Sequence, residues 1–233
     1  MKETKSLKRR ARLAGLLYCA WALPQAYAMM YGASKIIVRG DAAATFENVL
    51  AKEFAFRISI VSDLVGGIIS VFLALVLYRL LKDVDEFAAK ALVVFVVLQV
   101  PIVFILESFN ITALTIAKGE VLKTIDPVRA QEWVTLFLKV YRSGLGPLEM
   151  FWGLWLLPFG KLVYKSGFIP RILGVLLIIA GIAYITDSFA ALLFPDIRPF
   201  IVRYLTVCFA AGELPIFFWL LIKGVRVQEP QAK

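Results

Sequence analysis

Histidine is absent from all 233 residues. That gap removes the usual His-based zinc and haem sites and the Ser-His-Asp arrangement. Cysteine is nearly absent: Cys19 and Cys208 both fall in apolar stretches and are expected as free, buried thiols. No phosphate-binding loop, nucleophile elbow or metal-ligand cluster occurs, so no cofactor and no metal is expected. Charge is sparse too: charged residues make up 18% of the chain, against about a quarter in soluble domains. No internal repeat is evident, which weakens any analogy with inverted-repeat transporters.

What the chain has instead is apolar length. Hydrophobic residues make up 61% and gather into six stretches. Each is close to or above the roughly 20 residues that a helix needs to cross about 30 Å of hydrocarbon. Charge-free runs such as Leu92 to Leu106 and Ile172 to Thr186 do not alternate with period two, so they are not barrel strands. The reading is an all-α polytopic membrane protein: one transmembrane domain over 1–233, a bundle of six helices at approximately 13–37, 55–81, 88–116, 134–162, 170–194 and 200–222. The first apolar stretch, Ala11 to Val38, exceeds the 7–15 residues of a signal-peptide core and is read as a retained helix.

Charge position then assigns orientation. The net charge of +9 could suggest nucleic acid, but the basic residues crowd the first dozen positions and alternate helix ends. Fifteen Lys and Arg fall on the side of the amino terminus, seven in the opposite loops and four within helices, which accounts for all 26. The positive-inside rule puts both termini in the cytoplasm of a plasma-membrane protein. The bilayer is the expected partner, nucleic acid is not, and oligomeric state is left open. The connections 38–54 and 117–133 are expected to hold short interfacial helices. Pro170 suits the start of the fifth helix. Pro24, Pro101, Pro147, Pro158 and Pro215 lie inside helices, where neighbours satisfy the freed carbonyls.

Several segments carry a resemblance: Arg12 to Tyr18 (RLAGLLY), Glu53 to Leu64 (EFAFRISIVSDL), Leu73 to Asp83 (LALVLYRLLKD), Gly212 to Arg226 (GELPIFFWLLIKGVR) and, most distinctive, Ser166 to Pro195 (SGFIPRILGVLLIIAGIAYITDSFAALLFP). On these the chain resembles the prokaryotic family called domain of unknown function 4386. The resemblance implies a single membrane domain of this size and implies no reaction.

Polar residues inside the apolar runs are the candidate site. An ionisable group at a helix centre costs about 2.5–3.5 kcal/mol on insertion scales, so each needs a partner or water. The candidates are Arg57 and Asp63 on the second helix, Glu107 and Asn110 on the third, and Arg142 and Glu149 on the fourth. Asp187 and Ser188 on the fifth and Arg203 and Glu213 on the sixth complete the set. Most belong to the outer half of the membrane, with Asp63, Glu149 and Glu213 deeper. Arg142, Gly146, Glu149 and Gly153 share one helix face, whose small residues admit a neighbour or ligand. Tyr184, Asp187, Ser188 and Ala191 share another, as do Tyr18, Trp21 and Gln25. Arg57 and Asp63 are about 120° apart on their helix, so different partners are expected.

The leading expectation is a non-enzymatic protein whose polar cavity binds or passes a small solute or proton. Its five acids would take up protons, and Arg57, Arg142 and Arg203 would supply counter-charge. Two alternatives stay open: a lipid-active membrane enzyme using paired carboxylates, and an accessory or assembly subunit whose charges only lock helices together.

Overall fold

A computed structural model describes residues 2–225. Arg226 and Lys233, counted above on the cytoplasmic side, lie outside the described residues. The described chain is helical with short connections: α1 (Lys2–Tyr31), α2 (Ala33–Ile36), α3 (Ala42–Ala51), α4 (Glu53–Leu81), α5 (Glu86–Ala117), α6 (Pro127–Ser166), α7 (Arg171–Leu193) and α8 (Arg198–Phe218). A π-helical turn, Trp219–Lys223, follows α8 directly. The all-α class read from the sequence is the class found.

Four helices are long and apolar enough to cross a membrane: α4, α5, α7, and α8 together with its π turn. Their ends fall within about two residues of the positions that hydropathy marks. The sequence reading counts six. The other two helices, α1 and α6, have the length but not the apolar purity. Gln25 and Pro24 dilute the first, and Lys139, Arg142 and Glu149 interrupt the second. The first helix also stops earlier than expected, at Tyr31, where Gly32 separates it from α2.

Local chemistry explains the connections. Asp41 caps α3, its Oδ1 accepting the Ala44 N–H at 2.8 Å. That helix occupies part of the 38–54 connection. In 117–133 the predicted separate helix is replaced by an earlier start of α6, and the reason is readable. Asp126 accepts the N–H groups of Val128 at 3.1 Å and Arg129 at 3.3 Å, while Pro127 opens the first turn without needing a donor partner. The five interior prolines all sit inside helices as expected. After the π turn, Gly224 takes φ +71°, a left-handed conformation that suits glycine, and its N–H closes on the Trp219 carbonyl at 2.8 Å.

The chain divides into two compact units. The first comprises Met1–Cys19, Ile69–Gln99 and Gly146–Lys233; the second comprises Ala20–Ile68 and Val100–Leu145. Within the second, Phe56, Ile60, Val49 and Ile36 pack with Ala113, Leu114, Val134 and Leu138 in a buried apolar cluster. At its edge Lys118 bridges Glu53 at 3.2 Å and Glu120 at 3.1 Å, and these acids raise the Lys118 pKa. Within the first unit, Asp85 in the α4–α5 connection accepts Lys161 Nζ at 2.8 Å and the Ala88 N–H at 3.0 Å. The Lys161 hydrogen bond, followed by that backbone donor, holds the Asp85 carboxyl below its usual range.

The first unit is built on the contact between α6 and α7. A Cβ at Gly174 would lie 2.6 Å from both the Gly160 carbonyl oxygen and the Tyr164 nitrogen. At Gly153 it would lie 2.5 Å from the Gly181 carbonyl oxygen. Glycine on both helices lets the backbones touch, as small residues do where lipid removes the hydrophobic drive to associate. Gly174→Ala is therefore expected to lose about 1–3 kcal/mol of stability, because backbone has to move. Gly146→Ala should show no loss, since its nearest neighbour is the Ala191 Cβ at 3.8 Å. Thermal unfolding of both variants in detergent checks this; equal midpoints would contradict the close approach.

Candidate functional site

Three of the ten predicted site residues meet in the second unit. Asp63 comes from α4, and Glu107 and Asn110 from α5. Glu107 and Asn110, one helical turn apart, share a face. Asn110 Nδ2 donates to Glu107 Oε2 at 2.9 Å. The carboxyls of Asp63 and Glu107 are close enough to interact directly. Tyr141 of α6 donates its hydroxyl to Asp63 Oδ2 at 3.3 Å and also reaches Glu107. Glu107, at 1% exposed, Asn110, at 3%, and Tyr141 are buried, and Asp63 is partly buried.

The first unit holds Glu149, Asp187, Ser188, Arg203 and Glu213, while Arg57 and Arg142 belong to the second. Arg198, the first residue of α8, forks onto Asp187 of α7, Nε to Oδ1 and Nη2 to Oδ2, both at 2.9 Å. The same Nη2 reaches Glu149 Oε2 of α6 at 3.3 Å. The Asp187 side chain is 3% exposed, that of Glu149 17% and that of Arg198 35%, so the cluster is shut on the Asp187 side and open on the arginine side. Ser188 donates to the Gly146 carbonyl at 2.7 Å, tying α7 to α6 beside this cluster. Glu213 of α8 accepts two phenol O–H groups, from Tyr18 of α1 at 2.7 Å and Tyr184 of α7 at 2.9 Å. The Tyr184 ring stacks on Phe209 with centroids 4.0 Å apart, and Trp152 meets it edge-on at 5.8 Å. Tyr18 leans on Trp155 and Phe217.

The three arginines expected as counter-charges stand apart from these clusters. Arg57 pairs with Glu53 one turn earlier at 2.8 Å, with about half its side chain exposed. Arg142 and Arg203 are exposed. The guanidinium that serves the acids is Arg198, which sequence reading places in an outer loop. The signal was present: Pro199 follows it, and proline in a first helical turn marks α8 as starting at 198 rather than 200. Tyr141 was missed as well, because a phenol in an apolar helix looks like core until its hydroxyl partner is known. Both cysteines are free and partly buried.

The family profile described as "Domain of unknown function (DUF4386)" matches residues 13–224. The chain belongs to the DUF4386 family. The matched range contains every candidate residue and the partners Tyr18, Tyr141, Tyr184 and Arg198. An Archaeoglobus fulgidus protein titled "Uncharacterized protein" is 40% identical over 80 residues, which is 34% of this chain and 46% of that protein. The chain thus spans about half the length of that relative. No solved structure matches.

Two carboxyls sharing one guanidinium leave one negative charge in excess. Removing the arginine would strand a buried acid. Arg198→Gln is expected to cost about 1–3 kcal/mol, below the 3–5 of a fully buried pair because the arginine is partly exposed. Adding Asp187→Asn should recover part of that loss. A double-mutant cycle by thermal unfolding gives the coupling; strictly additive losses would refute the pairing.

Proposed function

We propose that this DUF4386 protein crosses the plasma membrane six times, with both termini in the cytoplasm, and binds or passes a small solute or proton. Four helices already have the length and hydropathy of membrane spans. The proposal adds α1 and α6, because both carry polar residues that partners inside the first unit satisfy: Tyr18 through Glu213, Glu149 through Arg198. A helix diluted by groups that are already paired costs less to keep in hydrocarbon than its hydropathy suggests. The 15-to-7 distribution of basic residues supports the orientation. A reporter enzyme active only in the cytoplasm, fused after Lys233, should be active, and one that works only outside should be silent. The reverse pattern would reject the orientation.

The observation that carries the functional reading is the unequal sharing of Arg198. Asp187 takes both arms of the fork at 2.9 Å, and Glu149 is left with one contact at 3.3 Å on the more open side. Glu149 is therefore the acid free to exchange a proton, or to meet a solute carrying a donor or positive charge. Arg198 and Asp187 hold the fixed frame around it.

The test uses proteoliposomes with an entrapped pH-sensitive dye and an imposed proton gradient. Wild type should dissipate the gradient faster than protein-free vesicles, and Glu149→Gln, which keeps the side-chain shape, should slow it. Equal rates in wild type, the variant and empty vesicles would remove the reading.

A further inference from the structure

Several cations of the first unit have acids to meet: Lys161 and Lys165 share Asp85, and Lys90 pairs with Glu86. The basic residues of α1 and of the π turn that ends α8 do not. Among the described residues, Lys8, Arg10, Arg12 and Lys223 form no ion pair. Arg10 instead turns its Nη1 onto the backbone carbonyl of Arg79 at 3.1 Å, at a residue that is itself an exposed arginine. Asp83, exposed in the same α4–α5 connection as Asp85, pairs with none of them among the described residues.

The fold gathers three of these cations. α1 and the π turn touch backbone to backbone, since a Cβ at Gly15 would run into the Leu221 nitrogen. A Cβ at Gly224 would lie 3.4 Å from Lys8 Cγ and 3.7 Å from Arg12 Cγ, and Lys223 is the residue before it. Lys8 and Arg12 stand one helical turn apart and share a face. The positive-inside rule asks only for cations on one side of the membrane, and any spacing satisfies it. Here three start from one spot, where like charges repel. The carboxyl end of the π turn offsets about half a charge, so roughly two and a half positive charges stay unanswered.

The apolar surface beside the cations decides which anion fits. Leu16 continues the Lys8–Arg12 face at the same four-residue spacing and is exposed. Ile222, next to Lys223, and Phe218, at the end of α8, are exposed as well. α8 with its π turn is also one of the four helices apolar enough to cross a membrane. A dissolved anion would meet the cations and leave this apolar surface untouched. We propose that Lys8, Arg12 and Lys223 bind the phosphate of an anionic phospholipid whose acyl chains lie along Leu16, Phe218 and Ile222. Arg12 can grip two phosphate oxygens at once, and the lysines add point charge. The site shares no residue with the Arg198 cluster and goes beyond the function proposed for it.

The experiment titrates the purified full chain in a non-ionic detergent with dioctanoyl phosphatidylglycerol and follows the thermal unfolding midpoint, which a ligand of the folded state raises. Zwitterionic dioctanoyl phosphatidylcholine is the comparison, and glycerol phosphate supplies the anion without chains. Phosphatidylglycerol should raise the midpoint, less so at raised salt, and the other two should not at the same concentrations. Arg12→Gln and Lys223→Gln should each weaken the apparent affinity about fivefold. Lys161→Gln lowers the net charge equally but removes a cation that Asp85 already holds, so it should bind like wild type. Glu149→Gln should also bind like wild type, which tells failure of this proposal from failure of the Arg198 reading. The wild-type comparison of lipids stands even where a variant does not fold. Equal shifts with the two lipids, an equal effect of glycerol phosphate, or the same loss in Lys161→Gln as in Arg12→Gln would each overturn the proposal.

Discussion

A carboxyl group placed between apolar helices must find donors or a counter-charge, because hydrocarbon offers neither. Most of the specific geometry in this chain follows from meeting that demand at a few buried acids. Asp187 meets it with a guanidinium fork from the start of the next helix, Glu213 with two phenols, and Glu107 with an amide, a phenol and its neighbour's carboxyl. Each solution draws groups from different helices. Where apolar side chains give little preference for one helix neighbour over another, such directional contacts, with the glycine approaches at Gly153 and Gly174, select the partners.

The parts of this arrangement that depend on one-dimensional pattern were legible. Hydropathy places α4, α5, α7 and α8 closely, since a long apolar run admits few other readings. The polar residues at Asp63, Glu107, Asn110, Glu149, Asp187 and Glu213 announce themselves by interrupting such runs, and the structure finds each in a hydrogen bond or ion pair. What was not legible is pairing. Arginines at Arg57, Arg142 and Arg203 look like natural counter-charges because they share helices with the acids. A long side chain near a helix end reaches outward as readily as inward, and these three are exposed. Arg198 looks like a loop residue only because the start of α8 is read two positions late. The connection Phe194 to Ile197 closes tightly, with the Arg198 N–H on the Phe194 carbonyl at 3.0 Å, which brings the guanidinium back onto α7. A two-residue uncertainty in a boundary is harmless for a fold class and decisive for a site.

The difference between the two acid clusters bears on the bland alternative, in which buried charges merely lock helices together. Static locking calls for matched signs, and a matched pair can be replaced by apolar residues with little loss. The Arg198 cluster has two acids for one base, and Asp63 and Glu107 have a phenol and an amide as partners among the described residues and no base. Neither balances on its own side chains. Glu213 too is met by two phenols and no base, so the shortfall of positive charge recurs at three places among the described residues. Unbalanced signs of this kind are not what static locking calls for, and the binding role proposed above rests on that imbalance.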